Sequence, residues 1–294
     1  MDMPKSAPLE TIVREIKDEF HIIGREKELL MMIISHQAGK NILLEGEIGT
    51  GKTTLARAVA MKFDKHFHRV EGTEDLYSST LIGTWQPPIL IQKGYVEEAF
   101  EYGPLAKAMT EGGCLFINEI NRAPESTQNL LLTALDEAML DIPNLKTLNA
   151  ADGFFTIATR NPASHIGVSV LGEALKDRFV WIKLDYQPAD EEIEIVRLHT
   201  GCTNDKIVEG AVKITRATRK SRDIRRGSSV RGAIDITAML SLMAEDAWES
   251  IDNWINVAIA ALITKIDVEE GIDKSPEDII TLIARAALGK DFFP

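Results

Sequence analysis

Cysteine is scarce in this chain. There are two in 294 residues, Cys114 and Cys202, far apart and without metal-ligand spacing. That argues against a disulfide framework and for a reducing compartment. Long hydrophobic runs are missing too: residues 255–263 form a short apolar stretch interrupted by Asn256, well below a bilayer span. The opening MDMPK lacks the charged and apolar regions of a signal peptide. Positive charge is in deficit, with 33 Lys and Arg against 45 Asp and Glu and a net charge of −12. Such a balance disfavours a general binder of nucleic acid or anionic membrane, although a local basic patch is compatible with it. The six histidines show no paired metal spacing, and the chain has no internal repeats or low-complexity tracts. A soluble, cytoplasmic protein without membrane insertion is the expectation.

What is present is ordinary globular material: 45% apolar and 27% charged residues, in a length that suits one large or two modest domains. The most informative stretch is NILLEGEIGTGKTTLARAVA, residues 41–60. A strand-length apolar run leads into a glycine-punctuated turn and then a helix-forming run. Gly46 to Thr53 match G-x-x-x-x-G-K-[ST] in the strand–loop–helix setting of a P-loop. Glycines let backbone N–H groups wrap an anion without Cβ clashes, and the helix start adds free N–H groups and a positive dipole end. Gly46, Glu47, Ile48, Gly49, Thr50, Gly51, Lys52, Thr53 and Thr54 are therefore the candidate nucleotide-binding set. Lys52 is expected to place its ammonium on the outer phosphates, and Thr53 to offer its hydroxyl to Mg²⁺.

Periodicity orders the rest. Residues 9–20 and 26–36 have amphipathic helical spacing ahead of the P-loop strand, and 67–71 resembles a second strand. Residues 88–92 and 95–99 are β-prone around Lys93-Gly94, which predicts a hairpin. Residues 104–111 start with Pro and end before Gly112-Gly113, as a helix does. Residues 114–117 (CLFI) form a continuous apolar run, suited to a parallel strand buried on both faces. A helix is predicted over 124–140, with Leu131, Leu132, Leu135, Ala138 and Met139 as its buried stripe, and strands over 154–159 and 180–184. This alternation predicts an α/β core with a mainly parallel sheet over residues 1–187. After 187 helical runs dominate, at 189–199, 205–218, 230–248, 253–266 and 276–288, which predicts a helical second domain over 188–294 packed by Trp248 and Trp254.

A P-loop needs a partner strand ending in a carboxylate, and 114–119 fits, apolar then Asn118-Glu119. Here the chain resembles AAA+ ATPases, and more narrowly their MoxR-type branch, in GGCLFINEINRAPESTQNLLLTAL (112–135) and the preceding FEYGPLAKAMTEGG (100–113). The resemblance covers most of the chain, strongest from about 22 to 185. It implies a P-loop NTPase αβα sandwich followed by a smaller all-helical lid, with ATP and Mg²⁺ bound. It also implies that Glu119 activates water and that Thr53, Asn118 and Glu119 lie at the metal. The family has Asp-Glu where this chain has Asn118-Glu119. Asn118 keeps an acceptor and loses the charge, so weakened Mg²⁺ binding, or a copy that binds ATP without hydrolysing it, is the alternative.

FTIATRNP (155–162) resembles the sensor-1 strand, giving Asn161 to the γ-phosphate or the attacking water. LGEALKDRF (171–179) resembles the segment whose arginine enters a neighbour's site, so Arg178 is either a finger acting in trans or a local salt-bridge partner. GSSVR (227–231) resembles sensor 2 and assigns Arg231 a phosphate contact in the same subunit, with Val13 to Arg25 near the adenine. The predicted hairpin falls where the helix-2 insert of this clade lies, at about 84–100, with Tyr95 and its apolar neighbours either client-facing or packed. By the same resemblance the protein is a homo-oligomeric ring, a hexamer, that remodels a protein client with a von Willebrand factor A-domain partner. The basic run 216–231 permits a nucleic-acid motor, which the acidic balance disfavours; solvated, sensor-2 or subunit-contact residues are the alternative.

Overall fold

The computed structural model describes residues 8–162, 171–244, 246–289 and 292. The chain divides into two compact units, Met1–Glu47 with Gly51–Asp185, and Ile48–Thr50 with Tyr186–Pro294.

The first unit opens with helices α1 (Leu9–Phe20) and α2 (Glu26–Gln37). They are followed by β1 (Asn41–Gly46), α3 (Lys52–Lys62) and β2 (Phe67–Glu71). Next come α4 (Ser78–Ile82), β3 (Gly83–Trp85), α5 (Pro87–Lys93), β4 (Phe100–Tyr102) and α6 (Pro104–Glu111). The unit continues through β5 (Cys114–Asn118), α7 (Glu125–Asp136) and the pair β6 (Met139–Ile142) and β7 (Lys146–Asn149). It closes with β8 (Phe155–Arg160), α8 (Glu173–Lys176) and β9 (Phe179–Leu184).

Five strands form one sheet in the order β2-β5-β8-β1-β9, every neighbouring pair parallel. Both faces are covered, which explains the unbroken apolar runs. Ile42 and Leu44 pack on one side with Ile33, Val59 and Phe116, while Leu43 packs on the other with Leu115, Ile117 and Leu131. Parallel register brings Glu45 level with Arg160, and Glu71 level with Asn118. The carboxyl ends of β1, β2, β5 and β8 therefore share one edge, where open α/β sheets bind ligands.

Two expectations need correction in this unit, and in the second unit the helix predicted over 230–248 ends at Ser241, with Trp248 in a separate 3-10 turn. The β-prone pieces at 88–92 and 95–99 do not pair. Pro87 and Pro88 begin a helix, a position where a missing N–H does no harm, and Gly94 ends it with φ 76°. The antiparallel pair is instead made by the flanking β3 and β4. Ile91 and Tyr95 are largely exposed, and Tyr95 meets the edge of Trp85 at 4.8 Å between ring centroids. The helix expected over 124–140 stops at Asp136. Ala138 takes φ 51°, and Leu140, Ile142 and Leu148 then bury the inner face of the β6–β7 hairpin. Leu131 and Ala134 are the buried stripe of α7, whereas Met139 is exposed.

The second unit is helical: α9 (Ala189–Thr200), α10 (Asp205–Thr218), α11 (Val230–Ser241), α12 (Ile251–Leu262) and α13 (Pro276–Leu288). It also contains a short antiparallel pair that periodicity did not suggest, β10 (Ile224–Arg226) with β11 (Asp267–Val268). Asn204 caps α10 and Ser275 caps α13 through their side chains, each accepting from backbone N–H groups of the first turn. Trp254 is fully buried in this core and Trp248 packs beside it.

Three members of the basic run, Arg216, Arg219 and Arg226, are engaged here, while Lys220, Arg222, Arg225 and Arg231 are exposed. Glu192, 2% exposed, accepts from Arg216 Nη1 and Arg219 Nη1 at 2.8 and 2.7 Å. Arg219 also donates to the Ser228 carbonyl at 2.6 Å and lies over the Tyr186 ring. Arg226 holds Asp267 with two hydrogen bonds, at 2.7 and 3.1 Å.

Two measurements test these interiors. Glu192→Ala would strand two guanidinium groups, so urea unfolding should show a loss of about 3–5 kcal/mol, with Glu192→Gln milder. His36 lies against Phe63 and Phe155, ring centroids 4.3 and 4.4 Å apart. Burial, aided by the charge of Lys65, pushes its pKa from 6.5 down to about 4. The unfolded chain takes up this proton first, so stability is full above about pH 6.5 and falls as pH drops toward 4. Allowing for the ring's partial solvation, the loss should be about 1–2 kcal/mol and absent in His36→Leu.

Candidate nucleotide site

The P-loop joins β1 to α3. Gly49 and Gly51 have φ of 79° and 90°, left-handed values that residues with a Cβ seldom adopt. Gly51 is also the residue immediately before α3, so the turn that curls the loop also aims the helix start. Lys52 is 8% exposed. Its ammonium donates to the carbonyls of Gly46 and Glu47 at 2.6 and 2.9 Å and to Asn161 Oδ1 at 3.0 Å.

Asn161 follows directly on β8, and its Nδ2 donates to Glu119 Oε1 at 3.1 Å. Glu119 follows directly on β5, and Arg122 Nη1 donates to its other oxygen at 3.1 Å. Lys52, Asn161 and Glu119 thus form one continuous chain of contacts across the ends of three adjacent strands. Glu119 itself is in the left-handed region, φ 53° and ψ 48°. A non-glycine residue there costs about 1–3 kcal/mol and persists only where its surroundings hold it.

Those surroundings come partly from residues that sequence reading did not single out. Thr159, fully buried on β8, accepts from the Glu119 N–H at 3.0 Å and donates to Asn118 Oδ1 at 2.8 Å. Asn118 Nδ2 donates to Glu71 Oε2 at 2.7 Å. The Gly72 N–H donates to the Asn118 carbonyl at 2.6 Å, and a Cβ on Gly72 would sit 2.2 Å from the Glu119 carbonyl oxygen. The signal for Glu71 was a carboxylate at the end of a parallel strand, the feature that drew attention to 118–119.

Thr53 is half-buried in the first turn of α3. With Asn118 and Glu119 it offers hydroxyl, amide and carboxylate oxygens, a donor set that suits Mg²⁺, which keeps much of its water and relies on phosphate oxygens. Among the described residues no group of three or more His, Cys, Asp or Glu could hold a metal ion.

One assigned residue stands apart from this cluster. Arg178 is held by a bidentate pair with Asp136, its Nη2 to Oδ2 at 2.7 Å, and by Asp177 at 3.1 Å. The hydrogen bond from Arg178 keeps the Asp136 carboxyl below its ordinary pKa. Arg231 is exposed in the first turn of α11, in the second unit.

Comparison with known proteins agrees with this geometry. The family model described as AAA domain (dynein-related subfamily) matches residues 41–179. An uncharacterized protein of Staphylococcus saprophyticus is 32% identical over 213 residues, covering 70% of this chain and 80% of that protein. Gas vesicle ATPase GvpN1 of Halobacterium salinarum is 31% identical over 206 residues, covering 65% of this chain and 59% of the other. Among solved structures, a candidate ATPase from Cytophaga hutchinsonii has a TM-score of 0.53 at 25% identity, covering 94% of each chain. NtrX from Brucella abortus shares the fold with a TM-score of 0.53 at 18% identity, covering 78% of this chain and 53% of its own. A P-loop, a parallel five-stranded sheet and these relatives together show that the chain belongs to the AAA+ ATPases, in the dynein-related AAA domain family.

Proposed function

We propose that this chain is a MoxR-type AAA+ ATPase that hydrolyses ATP in a homo-oligomeric ring, a hexamer, to remodel or activate a protein client. The observation that carries the reading is the contact chain from Lys52 through Asn161 to Glu119. It brings the Lys52 ammonium, the Asn161 amide and the Glu119 carboxylate together at one sheet edge, which supports phosphate-binding, orienting and base roles for them. In this reading the Lys52 ammonium exchanges its loop carbonyls for phosphate oxygens. Asn161 sits between charge and base and keeps the Glu119 carboxylate turned toward the reacting end. Glu119 takes the proton of the attacking water. Thr53, Asn118 and Glu119 are the residues that would hold Mg²⁺, whose chemistry is to neutralise charge building up on the phosphate oxygens.

A von Willebrand factor A-domain protein is the proposed partner, by resemblance to the MoxR branch, and the exposed Ile91 and Tyr95 on the α5 side are offered as client-facing residues. The similarity to a gas vesicle ATPase supports an ATP-driven role and leaves the client unnamed. A cytoplasmic setting accords with the described residues, in which no helix is long and apolar enough to cross a membrane. Nucleic acid is the less favoured partner, since Arg216, Arg219 and Arg226 are engaged with Glu192 and Asp267.

Steady-state phosphate release from the purified chain tests the enzyme reading. Glu119→Gln should lower kcat by about 10²-fold or more while nucleotide still binds. Lys52→Ala should abolish binding itself. A wild-type rate no higher than that of Glu119→Gln would make the chain an ATP-binding scaffold.

The finger role requires Arg178 to exchange Asp136 for a neighbouring subunit's site. Mixing Arg178→Ala with Lys52→Ala subunits should then restore part of the activity that each lacks alone. No recovery in assembled mixtures would leave Arg178 as a local ion pair.

A further inference from the structure

At the Glu119 edge a carboxylate stands on β2 and a neutral amide on β5, directly level with one another. Hydrogen-bond chemistry leaves this pair one arrangement. The hydroxyl of Thr159 accepts from the Glu119 N–H, so its own proton is free for Asn118 Oδ1. Asn118 must then turn its Nδ2 the other way, toward Glu71 Oε2. Glu71 can only accept, and its remaining oxygen is taken by Arg69 Nε at 2.6 Å. Glu119 N, Thr159 Oγ1 and Asn118 Nδ2 each meet an acceptor in this series. The series is closed on its backbone side by the Gly72 N–H on the Asn118 carbonyl.

We propose that Glu71 and Asn118 are a carboxylate–amide pair with the charge carried on β2 instead of β5, and that through Thr159 they position the Glu119 backbone for hydrolysis. Glu71, Asn118 and Thr159 act here as positioning residues, through Glu119. The proposal rests on the ATPase reading above for its catalytic half only. Asn118 is then no loss of function. An aspartate at 118 beside Glu71 would set two carboxylates at hydrogen-bond distance with no proton between them. The two residues are interchangeable as a pair and not one at a time: with Gln at 71 and Asp at 118, the amide donor and the carboxylate acceptor simply trade strands.

The test is a double-mutant cycle on the full chain with Glu71→Gln, Asn118→Asp and the two combined, read in two ways. In steady-state hydrolysis, each single variant should lose about 10-fold or more in kcat with KM for ATP changed by less than about 3-fold. The combined variant should return to within about 3-fold of wild type, and Thr159→Ser should keep activity that Thr159→Val loses. In urea unfolding without nucleotide, each single variant should lower the midpoint and the combined variant should restore it. An Asn118→Asp protein as active and as stable as wild type would overturn the proposal. So would a combined variant no better than the singles in both readouts. If wild type itself fails to outpace Glu119→Gln, the ATPase reading falls, while the unfolding cycle still decides whether the pair exists.

Discussion

Parallel register is the constraint on which the first unit depends. Because β1, β5 and β8 run the same way and pair residue against residue, Gly46, Asn118 and Arg160 end at one edge. Whatever follows each strand is delivered there: the P-loop after β1, Glu119 after β5, Asn161 after β8. A parallel sheet must be apolar on both faces, since helices cover both, so the strands have no polar face of their own. The chemistry is displaced to their ends. The same physics that makes CLFI a good buried strand makes the next two residues polar and available.

That edge is held at some conformational cost. Glu119 adopts a left-handed backbone, and the groups that hold it come from three strands: Thr159 from β8, Asn118 from β5, and Glu71 with Gly72 from β2 and its exit. Polar groups this close and partly dry have to match donor to acceptor without remainder, because an unmatched one is worth more in lost desolvation than a matched one returns. The second unit meets the same rule with charges. Its interior takes Glu192 only with two arginines around it, one of them also bonded to the Ser228 carbonyl just before α11. Three arginines of the basic run are thereby turned against carboxylates.

Much of this could be read in advance, and the pattern of success has a physical basis. The P-loop and the strand ending at Asn118-Glu119 are local: loop, helix start and strand end are contiguous, and their glycines and apolar runs are demanded by backbone geometry. Helices such as α1, α10 and α13 announce themselves through spacing, and α13 also through the Ser-Pro start at 275–276. The failures are at short segments of mixed preference. Residues 88–92 are β-prone in composition, yet two prolines supply a ready helix start, and the hairpin partners lie outside the segment, at β3 and β4. Residues 137–140 read as the tail of a helix because Leu and Met suit either period. What turns them is Ala138 at positive φ and the burial of Leu140, Ile142 and Leu148.

The sequence by itself determined that a phosphate loop precedes a helix, that an apolar strand delivers Glu119, and that strands and helices alternate before a helical end. These follow from local steric and hydrophobic periodicity, which neighbours in the chain suffice to establish. Only the tertiary structure decided which distant residues those groups meet. Lys52 touches Asn161 across 109 positions, and Asn118 touches Glu71 across 47, because strand order places β8 beside β1 and β5 beside β2. No local pattern encodes that order. It arises from how the two apolar faces of the sheet are covered, and with it came the carboxylate beside Asn118 that the motif alone lacked.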